Sequence, residues 1–317
     1  MSKDTRGADV LLEGKTAIVT GSGAGLGLAY AQELARHGAA VVVNDVDAEA
    51  AASAVASIRS EGGRAAACVA PVGSAEAAEQ LVSTAVEEFG GLDILVTNAG
   101  ILRDRSLLKM SDEDFDAVID VHLRGTFTTV RAAYAHFKAQ QVRGRIICIG
   151  SPTGQRGTFG QTNYAAAKAG IVGMVRTWAL EMRRSEVCVN AVIPVAATAM
   201  TKTVPYFQKA VEADERGEPM PDFFRKTLGF GTADDVAGLI AFLASDQAQG
   251  ISGQAIGIGG DRLQLWSHPE PVVEELHDGG WTVEALQDAG RRLIEADLQT
   301  VGESMPELPD ELRPDPA

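Results

Sequence analysis

Short, continuously apolar runs alternate along this chain with longer stretches of helical periodicity, and this alternation restricts the fold more than any other feature. A strand reads as continuously apolar when both of its faces are buried, as in a parallel sheet covered by helices. The candidate strands are Thr16–Thr20, Ala40–Asn44, Arg64–Ala70, Asp93–Thr97, Arg145–Gly150, Cys188–Ile193 and Ala255–Ile258. The candidate helices are Gly25–Gly38, Ala48–Glu61, Ala75–Phe89, Asp112–Gln140, Asn163–Arg184 and Thr232–Ser245. The pattern predicts an α/β fold with a doubly wound, seven-stranded parallel sheet of Rossmann type in a domain spanning 1–260.

One long segment, 201–232, interrupts this rhythm between the sixth strand and the helix that follows it. It is too long for an ordinary connection between a strand and a helix. Its aromatic residues are Tyr206, Phe207, Phe223, Phe224 and Phe230. We predict that this segment, called the lid below, is a helical insertion that covers a substrate. The alternative is a surface excursion that packs its own aromatic side chains.

Residues 261–317 form a C-terminal extension beyond the last predicted strand. The extension contains Trp266, Trp281 and one amphipathic helix near Thr282–Leu298, and it ends in an acidic, proline-rich stretch. Such a composition buries little apolar surface, so we expect the last dozen residues to be disordered.

Charge and residue content exclude several classes of function. The formal net charge is −15, from 28 Lys and Arg against 43 Asp and Glu, which argues against nucleic-acid binding because such a surface repels a polyanion. No apolar run approaches the roughly 20 residues of a membrane helix, and the first fourteen residues lack a signal-peptide core. The three cysteines suit reduced, buried thiols, and no Cys/His spacing predicts a metal site. We therefore expect a cytoplasmic protein without membrane or metal.

A glycine-rich loop follows the first strand and opens a helix, in the run Thr20–Gly27. Backbone N–H groups and the positive end of a helix dipole at such a loop bind a pyrophosphate. We expect Gly21 to permit the tight turn, Gly25 to let the backbone approach the phosphates, and Gly27 to let helix and strand pack closely. The position of the loop in the strand–helix pattern predicts a dinucleotide site.

Asp45 ends the second strand, eighteen residues after Gly27. A carboxylate there accepts hydrogen bonds from both hydroxyls of an adenosine ribose and repels a 2′-phosphate. The positions where a cation could bind that phosphate carry Ser22, Ala24 and Val46 instead of Arg or Lys. We therefore predict NAD rather than NADP. Asp45 could also cap the following helix, and the two roles are compatible.

Tyr164 and Lys168 lie four residues apart in a predicted helix and so share one face. The pKa of an unperturbed tyrosine is near ~10, and a neighbouring ammonium lowers it by favouring the phenolate. Ser151 ends the fifth strand thirteen residues before Tyr164, and its hydroxyl can hold a substrate oxygen while Tyr164 transfers the proton. A lone Tyr-x-x-x-Lys is ordinarily a solvated helical pair, but here it accompanies Ser151 and a nucleotide loop. The combination predicts a catalytic site.

The chain resembles the short-chain dehydrogenase/reductase superfamily over about residues 10–260. The motifs that carry the resemblance are Thr20-Gly21-x-x-x-Gly25-x-Gly27, Thr97-Asn98-Ala99-Gly100, Ser151, Tyr164-x-x-x-Lys168, Val189-Asn190-x-Val192-x-Pro194 and Ile251-Ser252-Gly253-Gln254. The resemblance implies hydride transfer to or from a nicotinamide, with Tyr164 as acid and base, Ser151 as substrate clamp, and Lys168 as ribose ligand. It also implies dimers or tetramers that associate through the two long helices.

The same resemblance implies further cofactor contacts. Asn98 would support the central sheet and the cofactor, Val72 would touch the adenine through its backbone, and Val192 would contact the carboxamide. The complete set of expected cofactor residues is Gly21, Gly25, Leu26, Gly27, Asp45, Pro71, Val72, Asn98, Gly100, Tyr164, Lys168, Val192, Ala196, Ala197 and Thr198.

Departures from the common pattern narrow the resemblance. His122 stands where the superfamily usually has an Asn that holds a proton-relay water, Val195 replaces the Gly that usually follows Pro194, and Pro71 replaces an adenine-binding Asp. Over about 95–205 the chain is similar to the (3R)-hydroxyacyl-CoA dehydrogenase unit of peroxisomal multifunctional enzyme type 2. It also resembles actinobacterial dehydrogenases of steroid side-chain oxidation, which are sometimes labelled 17β-hydroxysteroid dehydrogenases.

The role of His122 has three interpretations. It lines the active site and replaces the relay Asn through its backbone or its ring, it packs the helix, or it titrates and makes activity pH-dependent. We favour a relay through the backbone, because the Asn role also depends on a local helix distortion. Adenine binding at Pro71 has to rest on backbone and shape.

The resemblance implies NAD-dependent oxidation of a 3-hydroxyacyl-CoA, in a version that takes a steroid side chain or a straight chain. Arg103, Arg105, Lys109, Arg225 and Lys226 are candidates for the CoA phosphates, and simple solvation of these charges is the alternative. The competing activities are a 3-oxoacyl-carrier-protein reductase, a hydroxysteroid dehydrogenase and, least favoured, a non-enzymatic NAD sensor. We expect a homodimer or homotetramer, with a separate hydratase or thiolase as a possible partner.

Overall fold

An eight-stranded sheet forms the centre of the molecule, in a computed structural model that describes residues 10–198, 201, 204–303 and 305–313. Its strands are β1 (Thr16–Val19), β2 (Ala40–Asp45), β3 (Arg64–Val69), β4 (Ile94–Thr97), β5 (Arg145–Ile149), β6 (Cys188–Pro194), β7 (Ala255–Gly259) and β8 (Arg262–Trp266). The strand order is β3-β2-β1-β4-β5-β6-β7-β8, with all pairs parallel except β7 and β8. The predicted doubly wound α/β sheet is confirmed.

The eighth strand, β8, is the difference from the predicted seven-stranded sheet. Gly259 pairs with Arg262, so a two-residue turn at Gly260 and Asp261 reverses the chain. Gly260 has a φ of +51°, the left-handed conformation that such turns need. The Gly-Asp pair before an alternating run is a hairpin signal that the sequence does contain. The extension therefore begins as part of the sheet.

Helices cover both faces of the sheet and bury the strands from each side. The α-helices are α1 (Gly25–Arg36), α2 (Ala48–Ser60), α3 (Ala75–Phe89), α4 (Asp112–Val118), α5 (Gly125–Gln140), α6 (Pro152–Arg156), α7 (Thr162–Met182), α8 (Gln208–Glu215), α9 (Ala233–Ala244), α10 (Val283–Ala285) and α11 (Arg291–Ala296). One apolar core lies between the sheet and α1, α2 and α9, and a second lies between the sheet and α3, α5 and α7. Burial on both faces is the reason that these strands are continuously apolar.

A π-helical stretch, Ile119–Arg124, joins α4 to α5. The sequence pattern predicts one helix over Asp112–Gln140, and the structure keeps it helical while widening this one turn. Single π-helical turns inside helices occur frequently at functional sites. His122 lies within the turn and is buried.

The lid packs its aromatic side chains into a small core of its own. It consists of a 3₁₀ turn (Pro205–Phe207), α8 and a π-helical turn (Phe223–Leu228), while its residues Lys202 and Thr203 lie outside the described residues. Phe207 stacks on Phe230 with ring centroids 4.3 Å apart. Arg225 makes a bidentate ion pair with Asp235 of α9, with a shortest N–O distance of 2.8 Å. Its guanidinium also lies 2.7 Å from a carboxylate oxygen of Asp261. These ion pairs attach the lid to α9 and to the turn between β7 and β8.

The end of the C-terminal extension contacts the lid. Leu308 and Leu312 pack against the lid core, and the Tyr206 hydroxyl donates a hydrogen bond to the carbonyl of Pro306 at 2.6 Å. This contact differs from the predicted disorder of the last dozen residues, because apolar residues within the acidic stretch find a partner that composition alone does not reveal; 314–317 lie outside the described residues. Helical turns span 283–296, close to the predicted helix. Among the described residues, no helix has the length and apolar character to cross a membrane.

Arg225→Ala should loosen the lid. The substitution removes charged hydrogen bonds to Asp235 and Asp261. Because Arg225 is a quarter exposed and solvent screens these pairs, we take the total loss as about 1–2 kcal/mol. We expect cleavage within 204–231 during limited proteolysis to accelerate by about 5- to 30-fold. Lys226→Ala is the matched control, because Lys226 pairs only with the exposed Asp222 among the described residues. Equal cleavage rates in the two variants would contradict this account.

Candidate active site

The predicted site residues meet at the carboxyl ends of the parallel strands. Thr20 follows β1, Asn98 follows β4 and Ser151 follows β5. The Thr20 hydroxyl accepts hydrogen bonds from the backbone N–H groups of Asn98 (2.9 Å) and Ala99 (3.1 Å). The Asn98 side chain donates to the carbonyls of Thr20 (3.1 Å) and Gly21 (2.9 Å). Asn98 therefore fastens the glycine loop to the end of β4.

Glycine is required at different positions of the loop for different structural reasons. Gly21 has a φ of +60°, and a Cβ there would lie 2.7 Å from Ala99 Cα. A Cβ on Gly27 would overlap the carbonyl oxygen of Gly21 and approach Asn98 Nδ2 to 2.5 Å. Gly25 differs, because its φ is +58° and a Cβ there would meet nothing within 4 Å. The loop is thus tightly packed at Gly21 and Gly27 and open at Gly25.

The amino end of α1 fits the phosphates of a dinucleotide. Its N-cap, Ala24, has no side chain able to satisfy the free N–H groups, and no acidic residue lies in the first turn. An uncapped helix start with its positive dipole end next to the open face of Gly25 is a site for an anion. Leu26 is half-buried in the same turn and packs on the core below.

Asp45 holds the glycine loop to the end of β2. Its carboxylate accepts hydrogen bonds from the backbone N–H groups of Gly23 (3.0 Å) and Asp47 (3.1 Å). Asp47, not Asp45, caps α2, since its side chain accepts from Glu49 N and Ala50 N. The capping interpretation of Asp45 is therefore wrong, and the carboxylate lies at the edge of the glycine loop.

The remaining expected cofactor residues lie in three places. Pro71 is exposed and Val72 half-buried after β3, and a Cβ on Gly125 would lie 2.9 Å from Val72 Cγ2. Val192 is fully buried inside the sheet, where its carbonyl accepts from Gly150 N at 2.7 Å. Beyond the edge of β6, Ala197 N donates to Gly231 O at 2.7 Å. Ala196, Ala197 and Thr198 therefore lie just beyond the carboxyl end of β6, whereas Val192 lies within the strand.

Ser151, Tyr164 and Lys168 converge at the end of β5. The Ser151 hydroxyl accepts a hydrogen bond from Thr153 N at 3.2 Å and caps α6. Lys168 is buried, and its Nζ donates to the carbonyl of Ile149 at 2.6 Å and lies 5.6 Å from the centroid of the Tyr164 ring. The sequence therefore brings together a hydroxyl, a phenol and an ammonium at one point.

Burial controls the ionisation of this group of residues. Burial raises the pKa of Tyr164, a hydrogen bond with Ser151 opposes the increase, and the charge of Asp104 adds to it. Burial also lowers the pKa of Lys168 to about 7. From the sequence we expect Lys168 to lower the pKa of Tyr164, but the net pKa of Tyr164 is raised, because desolvation dominates both groups.

His122 lies between Gly100 and Tyr164. Its Nε2 is 3.0 Å from Ile101 N and 2.8 Å from Ile101 O, and its ring meets the Tyr164 ring edge-on at a centroid distance of 5.1 Å. A Cβ on Gly100 would overlap the imidazole. Burial, aided by the charge of Lys168, lowers the pKa of His122 to about 3. The imidazole is therefore neutral at physiological pH, which argues against the titrating role.

Two amides beside Tyr164 escaped the sequence analysis. Asn163 is fully buried, and its Nδ2 donates to the carbonyls of Arg103 (3.1 Å) and Asp114 (3.0 Å), while its Oδ1 accepts from Tyr164 N (2.7 Å). Gln161 donates to the Asp104 carboxylate at 2.8 Å and accepts from the Thr153 hydroxyl at 3.1 Å. A polar residue next to Tyr164 on a helix gives only a weak signal, since the partners come from a distant loop.

The five basic residues considered for CoA phosphates separate into two groups. Arg225 and Lys226 are held by carboxylates. Arg103, Arg105 and Lys109 lie exposed in the segment between β4 and α4, and Arg105 is 3.9 Å from Asp114. Among the described residues, Arg225 is the candidate most strongly held by carboxylates, and the exposed cations of the second group are more accessible to a ligand.

A family model for short chain dehydrogenases matches residues 15–209. The chain belongs to the short-chain dehydrogenase family. It is an oxidoreductase, and dehydrogenases of this family generally use NAD or NADP. The solved structure of a short chain dehydrogenase from Mycobacterium avium is similar, with a TM-score of 0.78 and 34% identity over 92% of this chain and 98% of that one.

Named relatives indicate the chemistry found in this part of the family. The peroxisomal multifunctional enzyme type 2 of Mus musculus is 47% identical over 61% of this chain, but that match covers only 27% of the mouse protein. The hydroxyacyl-CoA dehydrogenase ChsB1 of Mycobacterium tuberculosis is 43% identical over 81% of each chain. The 3-oxoacyl-[acyl-carrier-protein] reductase FabG of Thermotoga maritima is 39% identical over 78% of this chain and 98% of that protein.

Lys168→Met should make the stability of this dehydrogenase less dependent on pH. The folded-state pKa of Lys168 is about 7 against an ordinary 10.5, so between these values the unfolded chain binds more protons and stability rises with pH. We expect the Tm of the variant minus that of the wild type to fall as pH rises from about 7 to about 9.5. Lys138→Met, at an exposed lysine of α5, is the control and should show no such trend. A pH-independent Tm difference for Lys168→Met would contradict the burial argument.

Proposed function

We propose that this dehydrogenase oxidises a 3-hydroxyacyl-CoA to the 3-oxoacyl-CoA with NAD. The observation that carries the proposal is the convergence of Ser151, Tyr164 and Lys168 next to the open glycine loop. The acyl-CoA part of the proposal is supported by the hydroxyacyl-CoA dehydrogenase relative, which matches this chain over 81% of both proteins.

In the proposed reaction the substrate hydroxyl lies between the hydroxyls of Ser151 and Tyr164. Ser151 orients the substrate oxygen, and the Tyr164 phenolate removes the hydroxyl proton. When bound, the nicotinamide would supply the hydride acceptor: loss of a hydride from the carbon that bears the hydroxyl, together with loss of the hydroxyl proton, gives the ketone. The charged form of Lys168 favours the phenolate, and its attachment to the Ile149 carbonyl holds it beside the ring.

The preference for NAD rests on Asp45. Its carboxylate lies beside Gly23 of the glycine loop, where it would repel the 2′-phosphate of NADP and accept hydrogen bonds from ribose hydroxyls. The side chains of Ser22, Ala24 and Val46 provide no compensating cation.

The lid and the C-terminal extension supply the space for the acyl group. A cavity of about 280 Å³ is lined by Pro152, the residue after Ser151. Phe207 and Leu228 of the lid and Met305 and Pro306 of the extension form other parts of its wall. The wall also carries the charged residues Arg156, Arg262 and Glu303, so the cavity is mixed in character. We propose that its apolar residues contact the acyl group, and a steroid side chain is the narrower proposal. The exposed Arg103, Arg105 and Lys109 are the more accessible candidates for the CoA phosphates.

The second candidate function is reduction of a 3-oxoacyl group on a carrier protein. The FabG relative, which is covered over 98% of its length, favours it. Asp45 argues against it, because such reductases mostly prefer NADPH. A hydroxysteroid dehydrogenase and a non-enzymatic NAD sensor have less support, and intact Ser151, Tyr164 and Lys168 argue against the sensor.

Assembly is also part of the proposal. We propose a homodimer or homotetramer that associates through α5 and α7, on which Phe127 and Leu180 are exposed. A separate hydratase or thiolase would then supply the substrate or consume the product.

Tyr164→Phe should abolish turnover and preserve cofactor binding. General acid–base catalysis contributes roughly 10²- to 10⁴-fold, so we expect kcat for a 3-hydroxyacyl-CoA to fall by that order. NADH binding, followed by fluorescence, should be unchanged. Tyr134→Phe, which removes a hydroxyl that contacts Ser185, is the matched control and should keep full activity. A Tyr164→Phe enzyme with normal kcat would refute the assigned role.

Asp45→Ser should shift cofactor choice toward NADP. Removal of the carboxylate eliminates the repulsion of a 2′-phosphate, and we expect the NADP to NAD ratio of kcat/KM to rise by at least about tenfold, equivalent to ~1.4 kcal/mol. Steady-state kinetics with both cofactors measure this ratio. Asp47→Ser is the control, since serine also caps helices and the ratio should not change. An unchanged ratio in Asp45→Ser would remove the basis for NAD.

A further inference from the structure

We infer that His122 is a positioning residue that fixes the Tyr164 ring by an edge-on contact, in a space that Gly100 leaves open. The inference rests on the proposed function for the role of Tyr164, and on the geometry alone for the contact. It differs from the backbone relay expected from the resemblance, because it assigns the work to the imidazole ring.

The imidazole of His122 is itself held in place. It is 2% exposed, and its Nε2 lies within hydrogen-bond distance of both the N–H and the carbonyl of Ile101. A neutral imidazole nitrogen accepts from the first or donates to the second, according to the tautomer. Either bond anchors the ring to the segment that follows β4.

Gly100 forms the opposite wall of this space. A Cβ at Gly100 would lie 3.0 Å from both imidazole nitrogens and would overlap Cε1. The φ of Gly100 is not in the left-handed region, so the backbone conformation alone does not require glycine here. What requires glycine is the imidazole ring. Gly100 and His122 therefore form a matched pair.

The fixed imidazole then restricts Tyr164. The two rings are nearly perpendicular, at 87°, with centroids 5.1 Å apart, which is a favourable arrangement for aromatic pairs. The hydroxyl oxygen of a tyrosine lies on the χ2 axis, so its position depends on χ1 and on tilting of the whole side chain. A contact against the ring resists that tilting and fixes the ring plane as well. Lys168 Nζ approaches the same tyrosine ring at 5.6 Å. These contacts restrain the ring, and Ser151 is among the groups that act on the Tyr164 pKa.

The remaining nitrogen of His122 shows why a simple packing role is a poor explanation. Nδ1 is buried and has no hydrogen-bond partner among the described residues. An unpaired buried polar atom costs stability, and phenylalanine or leucine would fill the space without that cost. The π-helical turn Ile119–Arg124 places the imidazole where one nitrogen reaches Ile101 and the ring edge reaches Tyr164.

The test compares His122→Ala, which removes both contacts, with His122→Phe, which keeps a ring beside Tyr164. We expect kcat in His122→Ala to fall by roughly 10- to 100-fold, the order of loss for a catalytic group misplaced by about 1 Å, with NADH affinity within about twofold of wild type. His122→Phe should recover most of this loss. His136→Phe on α5 is the matched control and should have wild-type kcat. A wild-type kcat in His122→Ala, or equal losses in the Ala and Phe variants, would overturn the inference.

Gly100→Ala provides a second test through a double-mutant cycle. In the wild-type background the new Cβ displaces the imidazole, so kcat should fall. In the His122→Ala background the obstructing ring is absent, and the same substitution should change kcat by less than about twofold, because coupled residues are not additive. Equal losses in the two backgrounds would mean that Gly100 acts independently of His122, contrary to the inference.

A measurement without substrate separates this inference from the proposed function. The chain has four tyrosines, so ring-labelled tyrosine gives four NMR signals, and Tyr164→Phe assigns the one from Tyr164. We expect that signal to shift in His122→Ala and to return toward its wild-type position in His122→Phe, with the other three unchanged. An unmoved Tyr164 signal in His122→Ala overturns the inference, whatever the substrate. Failure of the wild-type enzyme to oxidise 3-hydroxyacyl-CoA, with the NMR shift present, refutes only the proposed function.

Discussion

The common direction of the parallel strands is the constraint on which the rest of the structure depends. Because β1, β4, β5 and β6 run parallel and in register, the residues that follow them emerge at one edge of the sheet. Hydrogen bonds across that edge, such as those of Asn98 with the glycine loop, hold the loops that follow these strands in fixed positions relative to one another. The proposed cofactor loop and the proposed catalytic side chains are therefore placed by the same ladder of backbone hydrogen bonds.

In the candidate active site, burial changes the pKa values of the two ionisable groups proposed to act in proton transfer. Lys168 is buried, with its Nζ hydrogen-bonded to the Ile149 carbonyl, and the burial that lowers the pKa of Lys168 also raises the pKa of Tyr164. Neither group has its ordinary ionisation behaviour, which is typical of sites that transfer protons near neutral pH. Asn163, His122 and Gly100 surround these groups and determine where the phenol points.

Much of this arrangement was predictable from sequence, because the relevant signals are local. Apolar runs buried on both faces identify the seven parallel strands, and the spacing of Tyr164 and Lys168 places them on one face of α7. The strand β8 was missed although its Gly-Asp turn is visible, since an alternating run after the last parallel strand looks like a tail. The contacts of Asn163, and the packing of Leu308 and Leu312 on the lid, depend on partners far away in sequence. The rise in the pKa of Tyr164 was not predicted, because burial is not visible in a motif.

The most direct measurement is the initial rate of NADH or NADPH formation, followed by absorbance, with one 3-hydroxyacyl chain offered in three forms. These are the CoA thioester, the carrier-protein thioester and the free hydroxy acid, each with NAD and with NADP. The account predicts the highest kcat/KM for the CoA thioester with NAD. Faster turnover of the carrier-protein thioester with NADP would instead identify the chain as a reductase of the second kind. No turnover of either thioester, with NADH still bound, would contradict the acyl-CoA assignment.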